Sequence, residues 1–189
     1  MTDRSRTPVL GTPCASLRES RPVMTFSEQA AVLHVAAEHG LLTAGEILGW
    51  AFGVIDASAK PPLWVIELAT LPSPRLADLL SWLREHGARS SLWQRLQILI
   101  AAHEAGRISL TNLLPVLFRL ADRHYAAADP PIQRLVAALW DWDCEEDFPA
   151  ISAEMAAIFT DVFADYLQDA EDMASLLRSP ARPLATRVA

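Results

Sequence analysis

The chain has 189 residues, enough for one domain, and 51% of them are hydrophobic, ample for a sizeable core. With 23 acidic against 16 basic residues it carries a formal net charge of −7, which disfavours direct nucleic-acid binding, because phosphate contact needs positive charge. No apolar run approaches the ~18 residues of a membrane span; Leu96 to Ala102 reads as a buried helix face.

Residues 1–24 contain Arg4, Arg6, Arg18 and Arg21 with Pro8, Pro13 and Pro22 but no apolar stretch of the kind a secretory signal needs. They read either as a disordered arm or as sequence ahead of a true start at Met24. Thr25-Phe26-Ser27-Glu28 then has the form of a capping box, in which the hydroxyl accepts the N3 amide and the glutamate reaches back. The first helix should run from about Phe26 to His39, stopped by Gly40 in a left-handed conformation. Thr43-Ala44-Gly45-Glu46 opens a second helix to about Asp56 in the same way. Pro61-Pro62 starts a third, Leu63 to Thr70, since proline's missing N–H is harmless in a first turn. Ser73-Pro74 starts a fourth, ending at His86 before Gly87.

The pattern then restarts. Ser91 opens a helix to about Ala105, stopped by Gly106; Ser109 caps the next, to about Tyr125; Pro130-Pro131 opens another through Trp140. A last long helix is expected from about Pro149 to Asp169, resuming to Leu177, followed by a flexible tail over 179–189. Shifted by 66 positions, Val32-Leu33 faces Ile98-Leu99, Gly40 faces Gly106, Thr43 faces Ser109 and Phe52 faces Phe118. After three inserted residues Pro61-Pro62 faces Pro130-Pro131. The matches fall on caps, stops and core positions, as a duplicated backbone would require. The fold expected is therefore all-α: a helical bundle or right-handed repeat-like array of about eight helices, one domain over 25–178, built from two diverged units at 26–70 and 95–139. Pro115, facing Gly49, should kink its helix if that helix begins at Leu110.

Side chains that carry chemistry do not assemble into a catalytic signature. His39 and His86 each sit in Glu-His-Gly, where a partly charged imidazole complements a helix C-terminus. His103-Glu104 resembles the opening of a zincin motif, but the second ligand position holds Arg107. His34 and His124 have no metal-ligand partner at helical spacing. Cys14 and Cys144 form neither a disulfide framework nor a metal spacing, which suits a reducing cytoplasm. Asp141 to Asp147 lacks the glycine and terminal glutamate of a calcium loop and reads as a solvated acidic loop. No cofactor, no metal and no enzymatic activity are expected. The bias of 15 Arg to one Lys suits a GC-rich bacterial genome.

Charge is distributed unevenly. Residues 140–175 contain 11 of the 23 acidic residues and no Lys or Arg. On a helix at ~100° per residue, Glu154, Asp161, Asp165 and Asp172 share a narrow arc with Asp169 at its edge. Met155, Ile158, Phe159, Val162 and Tyr166 form an adjoining face that should bury. Of the six tryptophans most should anchor the core; Trp142, between Asp141 and Asp143, either closes the end of the core or serves as an exposed anchor for a partner. The candidate partner-binding set is Asp141, Trp142, Asp143, Glu145, Glu146, Asp147, Glu154, Asp161, Asp165 and Asp169.

Gly40-Leu41-Leu42-Thr43, Trp50-Ala51, Asp56, Pro61-Pro62 and Ile66-Glu67-Leu68 together resemble small all-helical bacterial proteins of the polymorphic-toxin immunity type. The resemblance covers residues 26–71 and, more weakly, 96–139. It implies a cytoplasmic, non-catalytic protein that binds and neutralises a cognate toxin, a basic one given the acidic C-terminal third. A helical adaptor or regulatory scaffold is the alternative, and a divalent-metal enzyme using the acidic loop a third reading.

Overall fold

The computed structural model describes residues 24–122 and 170–182, together with the helical positions Gln133 and Ala137. Among these residues every regular element is a helix: α1 (Phe26–Glu38), α2 (Ala44–Ala57), α3 (Leu63–Ala69), α4 (Leu76–His86), α5 (Leu92–Glu104) and α6 (Leu110–Asp122). A seventh helical stretch, α7, occupies 170–178.

The helix starts follow the cap chemistry. Thr25, Thr43 and Ser91 each accept the N3 amide while the side chain of Glu28, Glu46 or Gln94 accepts the cap N–H. Gly40 and Gly106 both stop their helices at φ 72°. Behind each the same pair of hydrogen bonds closes the turn: Leu41 N to Ala36 O and Arg107 N to Ala102 O, both 2.9 Å, with Gly40 N to Ala37 O and Gly106 N to His103 O at 3.0 and 2.8 Å. The cap, helix, stop and next cap thus recur at the 66-residue offset, α1 on α5 and the start of α2 on that of α6. The helix pairing does not recur: α5 packs closely on α6, whereas α1 packs on α4 and α5 and hardly meets α2. The third helix expected of the second unit lies outside the described residues except at Gln133 and Ala137.

α1 is the central element, flanked by α4 and α5, while α2 packs on α3. Its residues Gln29–Leu33 and Val35–Ala37 are all buried. On α5 the run Leu96–Ala102 is buried without interruption. Seven consecutive residues cover every side of a helix, so this run is enclosed all round rather than along one face. α7 completes the core with Ala170, Ala174, Leu176 and Leu177.

One local expectation is corrected. The fourth helix starts at Leu76 rather than at Ser73: Ser73 takes φ 47°, and the N-cap is Arg75, whose N–H is accepted by Asp78 Oδ2 at 2.9 Å. Gly87 ends α4 at φ −74°. A Cβ there would lie 2.6 Å from Leu83 O, one turn back on α4, and 3.2 Å from Ala31 N, so the helix's own last turn excludes a side chain and the close approach to α1 adds to the crowding. Ala88 N–H seals that approach by donating to Ser27 O at 2.9 Å. Gly87→Ala should accordingly cost about 1–3 kcal/mol of stability, the usual range for overpacking, checked by urea unfolding. After α7, Pro180 is buried, and a Cβ on Gly49 of α2 would meet Ala181 Cβ at 3.6 Å. Pro115 does sit inside α6, and both it and Thr111 are exposed, so water can satisfy the carbonyl that proline's missing N–H leaves free.

Candidate functional site

Ala31, His34 and Glu38, the i, i+3, i+7 positions of one α1 face, form a narrow stripe on which Ala31 is buried, His34 half-buried and Glu38 exposed. Beside that stripe the last turn of α4 supplies Arg84, the α4–α5 connection supplies Arg89 and Ser90, and the first turns of α5 supply Arg95. Together they border a cleft of ≈ 580 Å³. Small side chains at Ala31, Ala77 and Ala88 leave its walls open. Arg95 is ion-paired with Glu38 across the cleft. Burial alone would raise the Glu38 carboxyl, but the Arg95 hydrogen bond and charge together outweigh it and hold the group below its usual range. Burial, seconded by the nearby Arg95 and Arg84, keeps His34 below the ordinary imidazole range in spite of Glu38. Two smaller hollows adjoin: one of ≈ 320 Å³ bordered by His39 and Arg119, and one of ≈ 170 Å³ bordered by Glu28 and Met173. Arg84, Arg89, Arg95 and Arg119 thus gather in one region although acids outnumber bases in the chain.

Burial works against a charged His39 at the end of its helix. His39 is depressed chiefly by burial, with Arg95 and Arg119 adding to the effect against Glu38. Its Nε2 is buried without a hydrogen-bond partner. The neutral form is therefore the native one, and the folded pKa lies below the unfolded one. Stability is full above the ordinary value of about 6.5 and is lost as pH falls through the folded value. The melting temperature should drop between neutral pH and about pH 5, and His39→Gln should flatten that slope; an unchanged slope would show that His39 does not govern it. His86, in the last turn of α4, stacks on Trp64 at 5.3 Å and 5° and is tilted against Trp82 at 5.1 Å. His103 is a turn lock: Nδ1 lies 2.9 Å from Ile108 O, a carbonyl that only accepts, so the ring nitrogen donates.

A second surface feature lies on the α2–α3 pair. Phe52, Leu63 and Ile66 are 53%, 69% and 36% exposed. The pair is firmly backed: Trp50 on α2 is fully buried and 6.0 Å from Trp64 on α3, whose carbonyl accepts from Trp82 Nε1 at 3.1 Å.

The sequence-derived candidates Asp141, Trp142, Asp143, Glu145, Glu146, Asp147, Glu154, Asp161, Asp165 and Asp169 lie outside the described residues. Of the same acidic stretch Glu171 and Asp172 are described, Glu171 exposed and Asp172 half-buried on α7. Sequence reasoning passed over Arg84, Arg89 and Arg95, because their convergence depends on α1 lying between α4 and α5. Among the described residues no group of three His, Cys, Asp or Glu could hold a metal ion, and no helix is long and apolar enough to cross a membrane. Comparison of the chain with protein-family models, curated proteins and solved structures gives no match in any of the three.

Proposed function

We propose that this chain is a non-catalytic protein-binding protein of the immunity type, which binds and neutralises a cognate basic toxin. The observation that carries the protein-binding reading is the exposure of Phe52, Leu63 and Ile66 on the braced α2–α3 pair. Large apolar side chains held on a rigid support are suited to act as interface anchors, since little ordering entropy opposes their burial. The charge of the partner follows from the sequence, where 11 acidic residues and no base occupy 140–175. Such a run would steer a basic domain toward the chain and discourage acidic ones.

The test is capture and neutralisation of the toxin domain encoded beside this gene, followed by kinetics. Replacing Glu154, Asp161 and Asp165 with Gln or Asn should slow association and flatten its salt dependence. Phe52→Ala with Leu63→Ala should instead shorten the complex lifetime, as should Trp142→Ala, by about 2 kcal/mol or more per true anchor. A toxin bound with unchanged rates by all three variants would overturn the reading.

A further inference from the structure

The cleft beside α1 holds more positive charge than its surroundings use. Its lining carries three guanidinium groups, Arg84, Arg89 and Arg95, against one carboxylate, Glu38, which is already engaged by Arg95. Arg84 and Arg89 form no hydrogen bond or ion pair among the described residues, and both are exposed and reachable. Glu85, the immediate neighbour of Arg84, does not line the cleft. In a chain with a net charge of −7, two arginines that face one hollow and are unengaged among the described residues mark a place where anions are favoured.

We propose that this cleft binds a small organic phosphate, with the phosphate group held by Arg84, Arg89 and Arg95. The excess in the lining is two charges, and a phosphate monoester near neutral pH carries about −1.5 to −2 on one compact group with three acceptor oxygens. A lone carboxylate supplies only one charge. Guanidinium forks match phosphate oxygens in bidentate fashion, and the Ser81 and Ser90 hydroxyls at the lining can donate to the same oxygens. Ala31, Ala77 and Leu80 offer apolar wall for the organic part. The volume of ≈ 580 Å³ falls within the roughly 300–1,000 Å³ of small-molecule sites. A nucleic-acid strand, by contrast, would meet the repulsion of the whole chain beyond the cleft. The inference is independent of the toxin-binding reading.

The experiment is calorimetric titration of the full chain at physiological salt with adenosine diphosphate and with inorganic pyrophosphate. Both probes should bind, and R84Q/R89Q should weaken them by roughly tenfold or more. The control K60Q/R75Q removes the same charge from outside the cleft and should leave affinity within about twofold. S81E, which sets a carboxylate on the cleft wall, should also abolish binding; circular dichroism melting verifies that each variant folds. Failure of both probes to bind at millimolar concentration would overturn the proposal, as would equal weakening by the control pair. Citrate binding as tightly as adenosine diphosphate would overturn the assignment to phosphate. A hexaglutamate peptide binding more tightly than either probe would do the same in favour of an acidic protein segment.

Discussion

Trp50→Ala should destabilise the chain by about 3–5 kcal/mol, the range for removing a large buried aromatic. For a chain of this size that is a melting-point drop on the order of 10 °C. The indole is fully buried on α2, its Nε1 donates to Gln29 Oε1 on α1 at 3.0 Å, and Gln29 Nε2 in turn donates to Met24 O at 3.2 Å. α1 and α2 scarcely pack on one another, so this polar bridge is a principal direct link between them. Trp50→Phe separates the two contributions. It keeps an aromatic ring in the core but removes the donor and part of the buried volume, so it should cost less than Trp50→Ala, about 1–3 kcal/mol, with the deprived acceptor a main contribution. The pair Gln29→Leu with Trp50→Phe should recover part of that loss, a coupling that a double-mutant cycle reads directly. A Trp50→Ala variant melting within a degree or two of the parent would contradict the packing described.

Arg107→Ala should cost about 2–4 kcal/mol, since hydrogen bonds to charged groups contribute roughly 1.5–3 kcal/mol each when water is partly excluded. From the α5–α6 connection the guanidinium reaches two elements: Nε donates to Leu177 O of α7 at 2.8 Å, and NH1 pairs with Glu46 in the first turn of α2. The two side chains are only 24% and 29% exposed, which limits competition from water. Burial would raise Glu46, but the Thr43 amide and the Arg107 hydrogen bond outweigh it and hold the carboxyl below its ordinary value. The pairing is therefore present above the ordinary carboxylate range and is lost as pH falls through the folded value. Arg107→Lys should rescue little, because an ammonium cannot reproduce a fork that serves two acceptors at once. Amide exchange over 170–178 should accelerate more than exchange in α1, and uniform acceleration would mean that Arg107 acts globally rather than as a tether.

Reading the chain located helices well where a cap or stop residue acts locally. Thr25, Thr43, Ser91, Gly40 and Gly106 each define their turn through hydrogen bonds within six residues, and the starts of α1, α2 and α5 follow from the three caps. Ser73 misled because serine before proline resembles a cap, while the carboxylate of Asp78 sets the start two residues later. Gly87 is legible as an ending but not as a contact with α1, whose Ala31 lies more than fifty positions away in sequence. His39 and His86 were read as charges at helix ends; burial and stacking on Trp64 depend on tertiary neighbours that no local pattern announces. The arginine cleft was invisible for the same reason: Arg84, Arg89 and Arg95 sit at unremarkable spacing until α4 and α5 flank the Ala31–His34–Glu38 stripe. The acidic candidates from Asp141 to Asp169 fall outside the described residues.

The hydrogen bond from Arg107 to Leu177 spans 70 residues, and that span has a consequence during synthesis. At about 5–20 residues per second, roughly 4–14 s separate the emergence of its two ends. Throughout that interval the seats filled by Ala174, Leu176 and Leu177 remain uncovered on a body that is already helical. Nascent chains halted before the last helix would display this apolar slot to chaperones and proteases. The slot closes only once α7 has emerged and folded onto it.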